Sequence, residues 1–202
     1  MIRLGLVSYS DLPGEELLLT KPKNPIADRL SAGRRGRART EAFLGGCLLT
    51  AMFPEANLSR VERTETGRPF LTDRSDVDFN VSHTDGMIVC AVETDATPRV
   101  GVDMERVVGR TASEMARIAK RWFTEAECAR LRDDPSERTF LEIWTAKEAA
   151  AKWDGRGLRA LRGIDTVSLP LNLRIYFVGD AVITLACGKG KEPPEKIDRY
   201  SI

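Results

Sequence analysis

The same order of predicted elements, a long helix followed by a β-hairpin, occurs in both halves of this 202-residue chain. In the first half, the helix is predicted from about Thr40 to Met52, and a proline that follows closely ends it. Apolar and polar residues then alternate over residues 77–83, as they do along a half-buried strand. Asp85-Gly86 is a turn signal, and the apolar residues 87–92 are predicted to form the returning strand.

The second half repeats this order with a longer helix. Asp134 as N-cap, Pro135 at the first helical position and Glu137 at the third favour a helix start there, and the helix is predicted to reach about Trp153. Two glycines just past that end suit the left-handed conformation with which helices often terminate. Residues 173–187 are predicted to form the second hairpin.

The repeated order predicts an α+β fold made of two similar lobes related by pseudo-two-fold symmetry, each a small antiparallel sheet packed with a long helix. We expect an N-terminal lobe of residues 1–99 and a C-terminal lobe of residues 100–202, with residues 93–100 as the crossover. Residues 3–9 are predicted to form a first strand, and residues 11–25 are predicted to be irregular because they contain three prolines.

The bulk composition is that of a globular protein without a dominant charge. The net charge of +1 provides no global field for nucleic acid, so we expect no nucleic-acid partner. No segment approaches the roughly 20 apolar residues that cross a bilayer, and the apolar run at the N-terminus is too short for a signal peptide. The four cysteines lack the close spacing of zinc ligands, and we expect them to be reduced in a cytoplasmic protein without a membrane partner.

A pair of acidic residues lies in the segment Gly101-Val-Asp-Met-Glu105, which is predicted to be a strand. Side chains alternate along a strand, so Asp103 and Glu105 point to the same side. Two carboxylates so close repel one another unless a cation lies between them, and such ligands suit Mg²⁺ bound to a substrate phosphate. From these residues alone, a strand end that meets solvent is the competing interpretation.

The predicted long helix carries a second group of charged residues. Trp144, Glu148 and Lys152 are spaced four residues apart and form one stripe, which Lys147 borders. A carboxylate and two lysines beside a large aromatic side chain favour a helix that lines a cleft. A surface helix stabilised by an ordinary Glu–Lys pair is the alternative.

The only histidine of the chain, His83, lies in the segment Phe79-Asn-Val-Ser-His-Thr-Asp-Gly86. A single histidine at the end of a hairpin strand is usually a structural hydrogen-bonding group. Taken alone, it is therefore not predicted to be catalytic.

Together, these three motifs have a specific order. N-V-S-H, then G-V-D-x-E about 20 residues later, then W-x-x-K-E about 40 residues further resembles the 4′-phosphopantetheinyl transferase superfamily, in its two-lobed bacterial type. Arg39-Thr40, Thr66-Gly-Arg-Pro-Phe70 and the segment from Trp122 to Glu127 are similar to three further motifs of that family. The resemblance covers most of the chain except its last 30 residues.

The resemblance implies transfer of 4′-phosphopantetheine from coenzyme A to a serine of an apo acyl or peptidyl carrier protein, with release of adenosine 3′,5′-bisphosphate. The implied partners are carrier proteins of fatty-acid, polyketide or nonribosomal peptide synthesis. The implied metal is Mg²⁺, with Mn²⁺ as a substitute, held by Asp103, Glu105 and Glu148. Asp103, Glu148 and Lys152 are the implied catalytic residues, and the base is either Glu148 or a metal-bound hydroxide.

The resemblance also implies contacts to coenzyme A. The matching residues are Gly67, Arg68 and Pro69 along the adenine, Arg39 at the 3′-phosphate, and Ser82, His83, Lys147 and Lys152 at the other phosphates. Val107 departs from the family, because close relatives often have a polar residue there that contacts a phosphate.

Several residues keep two interpretations. Thr111 and Glu114 fit a capping box, and so do Thr124 and Glu127, although Glu127 also matches the family's glutamate. An arginine cluster precedes the first long helix, and its guanidinium groups suit a phosphate monoester. Its members Arg34, Arg35 and Arg37 face either a phosphate, an acidic carrier protein or solvent.

Other functions remain open at this stage. Acidic residues, magnesium and basic groups also describe a small nuclease or a magnesium-dependent nucleotide phosphohydrolase, and a catalytically degenerate relative would only bind carrier proteins or coenzyme A. Since the motifs are divided between the halves, we expect the active site in the cleft between the lobes. The duplicated order further predicts a monomer that binds one coenzyme A.

Overall fold

The structure, a computed structural model, describes residues 1–9 and 23–202, and this part of the chain contains five α-helices and nine β-strands. The strands form small sheets, so the predicted α+β class is confirmed, whereas the pseudo-two-fold relation stays a prediction. The chain divides into two compact units, residues 1–100 with 194–202, and residues 101–193. No helix in the described ranges has the length and hydropathy of a membrane span.

The first unit is built on a four-stranded sheet with the order β4-β5-β1-β9. The predicted hairpin is confirmed as β4 (Val77–Thr84) and β5 (Met87–Thr94), which pair in antiparallel register around Gly86 at φ 78°. β1 (Ile2–Ser8) corresponds to the first predicted strand, and it pairs antiparallel with β5. β9 (Asp198–Arg199) returns from the C-terminal end of the chain to pair parallel with β1.

Helix α1 (Pro25–Ser31) begins where the sequence predicted irregular structure. Of that predicted segment, residues 11–22 lie outside the described residues, but Pro25 is the first helical residue rather than a breaker. Proline is tolerated there because the first N–H groups of a helix have no intrahelical partner. The Asn24 side chain supplies the cap, since its Oδ1 accepts a hydrogen bond from Ala27 N at 3.0 Å.

Helix α2 (Gly36–Met52) ends at the predicted residue but begins four residues earlier than Thr40. It packs closely on α1, because a Cβ on Gly46 would lie only 2.4 Å from Cα of Ala27. The core of the unit lies between these helices and the sheet, and Phe79 on β4 is fully buried in it. A short hairpin of two further strands, β2 (Val61–Arg63) and β3 (Pro69–Leu71), lies beside this core.

The second unit combines a three-stranded sheet with three helices. The sheet order is β6-β8-β7, with β6 at Val100–Arg106, β7 at Leu171–Val178 and β8 at Ala181–Gly188. The helices are α3 at Ala112–Trp122, α4 at Glu125–Asp133 and α5 at Glu137–Asp154. β7 and β8 are the predicted second hairpin, and the apolar faces of the helices bury against this sheet.

The predicted start of α5 was wrong by two residues. Ser136, not Asp134, is the N-cap, and its hydroxyl accepts a hydrogen bond from Thr139 N at 3.2 Å. Asp134 instead ends α4, where its carboxylate binds the Thr139 hydroxyl and accepts from Ser136 N. Glu137 is therefore the first helical residue. The predicted C-terminus is confirmed, because Gly155 adopts φ 80° directly after the helix.

Candidate active site

Strand β6 carries two carboxylates on one side, as its alternation predicts. The Asp103 side chain is 5% exposed and that of Glu105 is 33% exposed. Their neighbours Val102 and Met104 are buried. The strand therefore places one carboxylate in a low-dielectric environment and the other at the boundary with solvent.

Helix α5 lies directly against β6 because Gly101 has no side chain. A Cβ at this position would lie 2.1 Å from the carbonyl oxygen of Ala149 and 2.5 Å from Trp153 N. This close approach brings the last turns of α5 to the carboxylate strand. There the Lys152 ammonium donates to Asp103 Oδ1 at 2.7 Å and to the Val102 carbonyl at 3.0 Å.

The predicted stripe on α5 is confirmed as a partly exposed face. Trp144, Glu148 and Lys152 are all half-buried, whereas Lys147 is fully buried. The Trp144 ring stacks on Phe140 with 6.5 Å between ring centroids. The aromatic residue therefore anchors the stripe, and the two charged side chains continue it towards β6.

The three predicted metal ligands share one electrostatic environment. Burial and then the negative charge of Asp103 raise the pKa of Glu148 to about 7, an effect that Lys152 opposes and Glu105 reinforces. Burial and then Asp103 also raise the pKa of Glu105, whereas Arg110 and Lys152 lower it. The negative charge of Asp103 thus penalises ionisation of both glutamates, and a bound cation would relieve that penalty.

Magnesium fits the chemistry of this donor set, because it prefers carboxylate oxygens together with substrate phosphates. In the described ranges 1–9 and 23–202, no three His, Cys, Asp or Glu side chains are arranged as a ready metal-binding group. Two of the predicted ligands instead bond to basic side chains. Lys152 donates to Asp103, and Arg110 donates to Glu105 at 3.1 Å. The assignment of Asp103, Glu105 and Glu148 as ligands stays a prediction.

Lys147 and Glu127 form an ion pair that is 0% exposed on both sides, with 2.8 Å between Nζ and Oε2. Lys147 also donates to the Ile164 carbonyl. Glu127 accepts from Thr124 N, which confirms the capping box, and from both N and Oγ1 of Thr166. These contacts favour a structural role for Lys147 and Glu127 over the phosphate contact that the resemblance implies for Lys147.

A pocket of about 160 Å³ in the first unit collects three of the predicted nucleotide contacts, Gly67, Pro69 and His83. Arg34 and Arg63 also line it. Burial and then the positive charge of Arg34 lower the pKa of Arg63. Two guanidinium groups at one pocket, where the charge of Arg34 helps to lower the pKa of Arg63, suit an anionic ligand such as a phosphate.

Three other predicted contacts do not line this pocket. Arg68 forms an ion pair with Asp78 at 2.6 Å and donates to the Val100 carbonyl at 2.8 Å, with 14% of its side chain exposed. Ser82 is buried in β4, and Arg39 is exposed near the start of α2. Arg68 therefore contributes to local structure in the first unit.

Glu41 is a pocket residue that the sequence did not single out. Its Oε2 lies 3.3 Å from Nδ1 of His83, and its Oε1 accepts from Arg37 at 2.7 Å. Arg37 also binds Asp85. The four-residue spacing of Arg37 and Glu41 on α2 was a usable signal, but the contact to His83 depends on tertiary packing.

Residues 99–181 match the family model of the 4′-phosphopantetheinyl transferase superfamily. The matched segment contains the carboxylates of β6 and the whole of α5, and hence Asp103, Glu105, Glu148 and Lys152.

Curated relatives agree with this match. The 4′-phosphopantetheinyl transferase HetI of Nostoc sp. is 33% identical over 141 residues, which are 67% of this chain and 56% of that protein. The 4′-phosphopantetheinyl transferase Sfp of Bacillus subtilis strain 168 is 33% identical over 132 residues, or 62% of this chain and 52% of that protein. The aligned part of the chain thus spans about half the length of these relatives. Residues 99–181 of this chain are therefore similar to the 4′-phosphopantetheinyl transferase superfamily.

Proposed function

We propose that the protein transfers 4′-phosphopantetheine from coenzyme A to a serine of an apo acyl or peptidyl carrier protein and releases adenosine 3′,5′-bisphosphate. The observation that carries this proposal is the meeting of β6 and α5 inside the family segment. There, burial and then the negative charge of Asp103 raise the pKa values of Glu105 and Glu148, and Lys152 Nζ lies 2.7 Å from Asp103 Oδ1.

The three carboxylates would hold Mg²⁺ or Mn²⁺, which would neutralise phosphate charge and act as a Lewis acid when bound. Lys152 supplies a positive charge at the same place, and its side chain is only partly buried. In the transfer step, the carrier serine oxygen forms a bond to the phosphorus that bears pantetheine, and the bond from that phosphorus to the oxygen of the leaving bisphosphate breaks. Lys152 stabilises the charge that develops on the phosphoryl oxygens.

Glu148 is the proposed acceptor of the serine proton. Burial and then Asp103 raise its pKa to about 7 in the metal-free protein, and a bound cation would lower that pKa. The half-buried position of Glu148 on α5 leaves part of the residue accessible. The proton therefore moves from the serine hydroxyl to a Glu148 carboxylate oxygen as the oxygen–phosphorus bond forms.

The pocket of the first unit is proposed to receive the nucleotide end of coenzyme A. Gly67 and Pro69 line it without bulky side chains, and Arg34 and Arg63 supply positive charge for the 3′-phosphate. His83 offers a ring nitrogen at the same pocket, oriented by Glu41.

A groove of about 690 Å³ on the second unit is proposed to receive the carrier protein. Met115, Phe123 and Leu131 provide apolar lining from α3, α4 and the residues between them. Lys120 and Arg132 add positive charge among the lining residues. An acidic carrier-protein helix with an apolar face has the complementary chemistry.

The direct test is mass spectrometry of an apo carrier protein after incubation with the enzyme, coenzyme A and Mg²⁺. A gain of one phosphopantetheine with release of adenosine 3′,5′-bisphosphate supports the proposal. Hydrolysis of coenzyme A without modification of the carrier would instead identify a phosphohydrolase. Binding of the carrier without either product would identify a degenerate relative.

A further inference from the structure

A single guanidinium group connects the end of β6 to the start of α5. Arg110 donates through Nη2 to Glu105 Oε2 at 3.1 Å and through Nη1 to Glu137 Oε1 at 2.7 Å. The same Nη1 donates to the Arg106 carbonyl at 3.0 Å. Arg110 is thus bound on two sides by carboxylates, one of which is a proposed metal ligand.

Glu137 is a fixed anchor for this bridge. Its carboxylate accepts hydrogen bonds from the backbone N–H groups of Val108 at 3.1 Å, Gly109 at 2.8 Å and Arg110 at 3.1 Å. Its side chain is only 9% exposed. It also occupies the first position of α5, where a negative charge is favoured by the helix dipole. The turn after β6 and the first turn of α5 are therefore joined through one carboxylate.

Arg106, the last residue of β6, makes a contrasting contact. Arg106 forms a two-point pair with Asp180 in the turn between β7 and β8, and both side chains are partly exposed. Alternation along β6 directs Arg106 away from the side that carries Glu105. The bridge to the carboxylate site is therefore a property of Arg110 and is not shared by Arg106.

We propose that Arg110, anchored by Glu137, is a positioning residue that holds the Glu105 carboxylate in place for the divalent cation, an inference that rests on the proposed function. A carboxylate has two oxygens and about four lone-pair sites, so one hydrogen bond to Arg110 leaves capacity for a cation. Groups that orient a metal ligand from behind typically contribute about 10–100-fold to metal affinity or activity.

The test is direct Mn²⁺ binding, measured by electron paramagnetic resonance of the free ion without coenzyme A or carrier protein. Arg110→Ala is expected to raise the dissociation constant about 10–100-fold. Arg110→Lys keeps the charge but loses the planar fork, so an intermediate value is expected. Arg106→Ala is the matched control, and its Mn²⁺ affinity should equal that of the wild type.

Thermal unfolding of each variant separates positioning from general stabilisation. A merely structural role would lower the unfolding midpoint of Arg110→Ala without changing Mn²⁺ affinity in the folded protein, and that result would overturn the proposal. Glu137→Gln provides a second variant if Arg110→Ala does not fold, because it keeps the side-chain volume while weakening the anchor. It should also bind Mn²⁺ more weakly.

Asp103→Ala distinguishes a failure of the proposed metal site from a failure of the proposed positioning role of Arg110. If Asp103→Ala loses Mn²⁺ while Arg110→Ala and Glu137→Gln bind it normally, the positioning role is wrong and the metal site stands. If the wild type binds no Mn²⁺, the proposed metal site and the positioning role both fail.

Discussion

Lys147 and Glu148 are adjacent in the sequence but have opposite environments. The Lys147 ammonium is fully buried and bonded to Glu127, whereas Glu148 lies half-buried on the stripe that reaches towards β6. The helical rotation of about 100° per residue separates the two side chains. One residue of the motif therefore stabilises the second unit, and the next is available for chemistry.

Removal of one partner from the buried pair should destabilise the protein strongly. Glu127→Ala would leave the Lys147 ammonium without its carboxylate, at an expected cost of about 3–5 kcal/mol in the free energy of unfolding. Arg132→Ala is the control on the same helix, since it breaks the exposed pair with Glu125 and should destabilise the protein far less. Chemical denaturation of both variants measures the difference, and equal costs would contradict the structural role of the pair.

The raised pKa of Glu148 predicts a pH-dependent stability in the metal-free protein. Because the folded pKa of about 7 exceeds the ordinary value of 4.5, the stabilising contribution is present below pH 4.5 and is lost as the pH rises through 7. Glu148→Gln cannot ionise and should gain stability relative to the wild type between pH 5 and pH 8. Unfolding midpoints in chelator measure this difference, and a constant difference across that range would refute the expectation.

The close approach of α5 to β6 decides the geometry of the candidate active site. Gly101 permits this contact, because any side chain there would collide with the backbone of Ala149 and Trp153. The contact places the ammonium of Lys152 on α5 within hydrogen-bond distance of Asp103 on β6. The first residue of the G-V-D-x-E motif is thus a glycine because α5 packs against its backbone, a role separate from that of the carboxylates.

Gly101→Ala should therefore damage both stability and transfer. The new methyl group can fit only if α5 moves away from β6, which would separate Lys152 from Asp103. Gly163→Ala is the matched control, because no atom lies within 4 Å of its added Cβ. Circular dichroism melts and transfer rates of the two variants check this prediction. A Gly101→Ala protein with wild-type melting and rate would contradict the packing argument.

The sequence predicted which helices and strands form more accurately than it predicted where they begin and end. Alternation in β4 and the left-handed glycine after α5 are local signals, and both predictions were confirmed. The start of α5 was misplaced because Asp134 and Ser136 are both good caps. The backbone N–H of Thr139 donates to Ser136, whereas Asp134 binds the Thr139 hydroxyl. Pro25 was read as a breaker, although the same residue also favours a first helical turn.

The candidate site was predictable in its residue types but not in its contacts. The spacing of Asp103 and Glu105 on a strand is a local property, so their shared side followed from the sequence. The burial of Lys147 depends on Glu127, which lies 20 residues away, and on the Ile164 carbonyl. No local pattern encodes such a tertiary contact.

The chain contains two compact units, and residues 194–202 belong to the first. The family segment, residues 99–181, lies almost entirely in the second. The proposed nucleotide pocket lies in the first unit. The proposed function therefore needs residues from both units.

The duplicated order of elements predicts a monomer that binds one coenzyme A. Isothermal titration should give one coenzyme A per chain, and light scattering should give the mass of one chain. A stable trimer, or two equivalent binding sites per chain, would contradict this prediction.

The carboxylates of β6 and α5 are proposed to support metal-dependent transfer of phosphopantetheine. The most direct measurement is mass spectrometry of an apo carrier protein treated with wild type, Asp103→Ala or Asp180→Ala, in EDTA and then with Mg²⁺ or Mn²⁺. Asp180 is a matched control because it also pairs with a basic side chain, but at the surface. We expect wild type and Asp180→Ala to modify the carrier only when metal is present, and folded Asp103→Ala to lose most activity. Full modification by Asp103→Ala in EDTA would contradict the account.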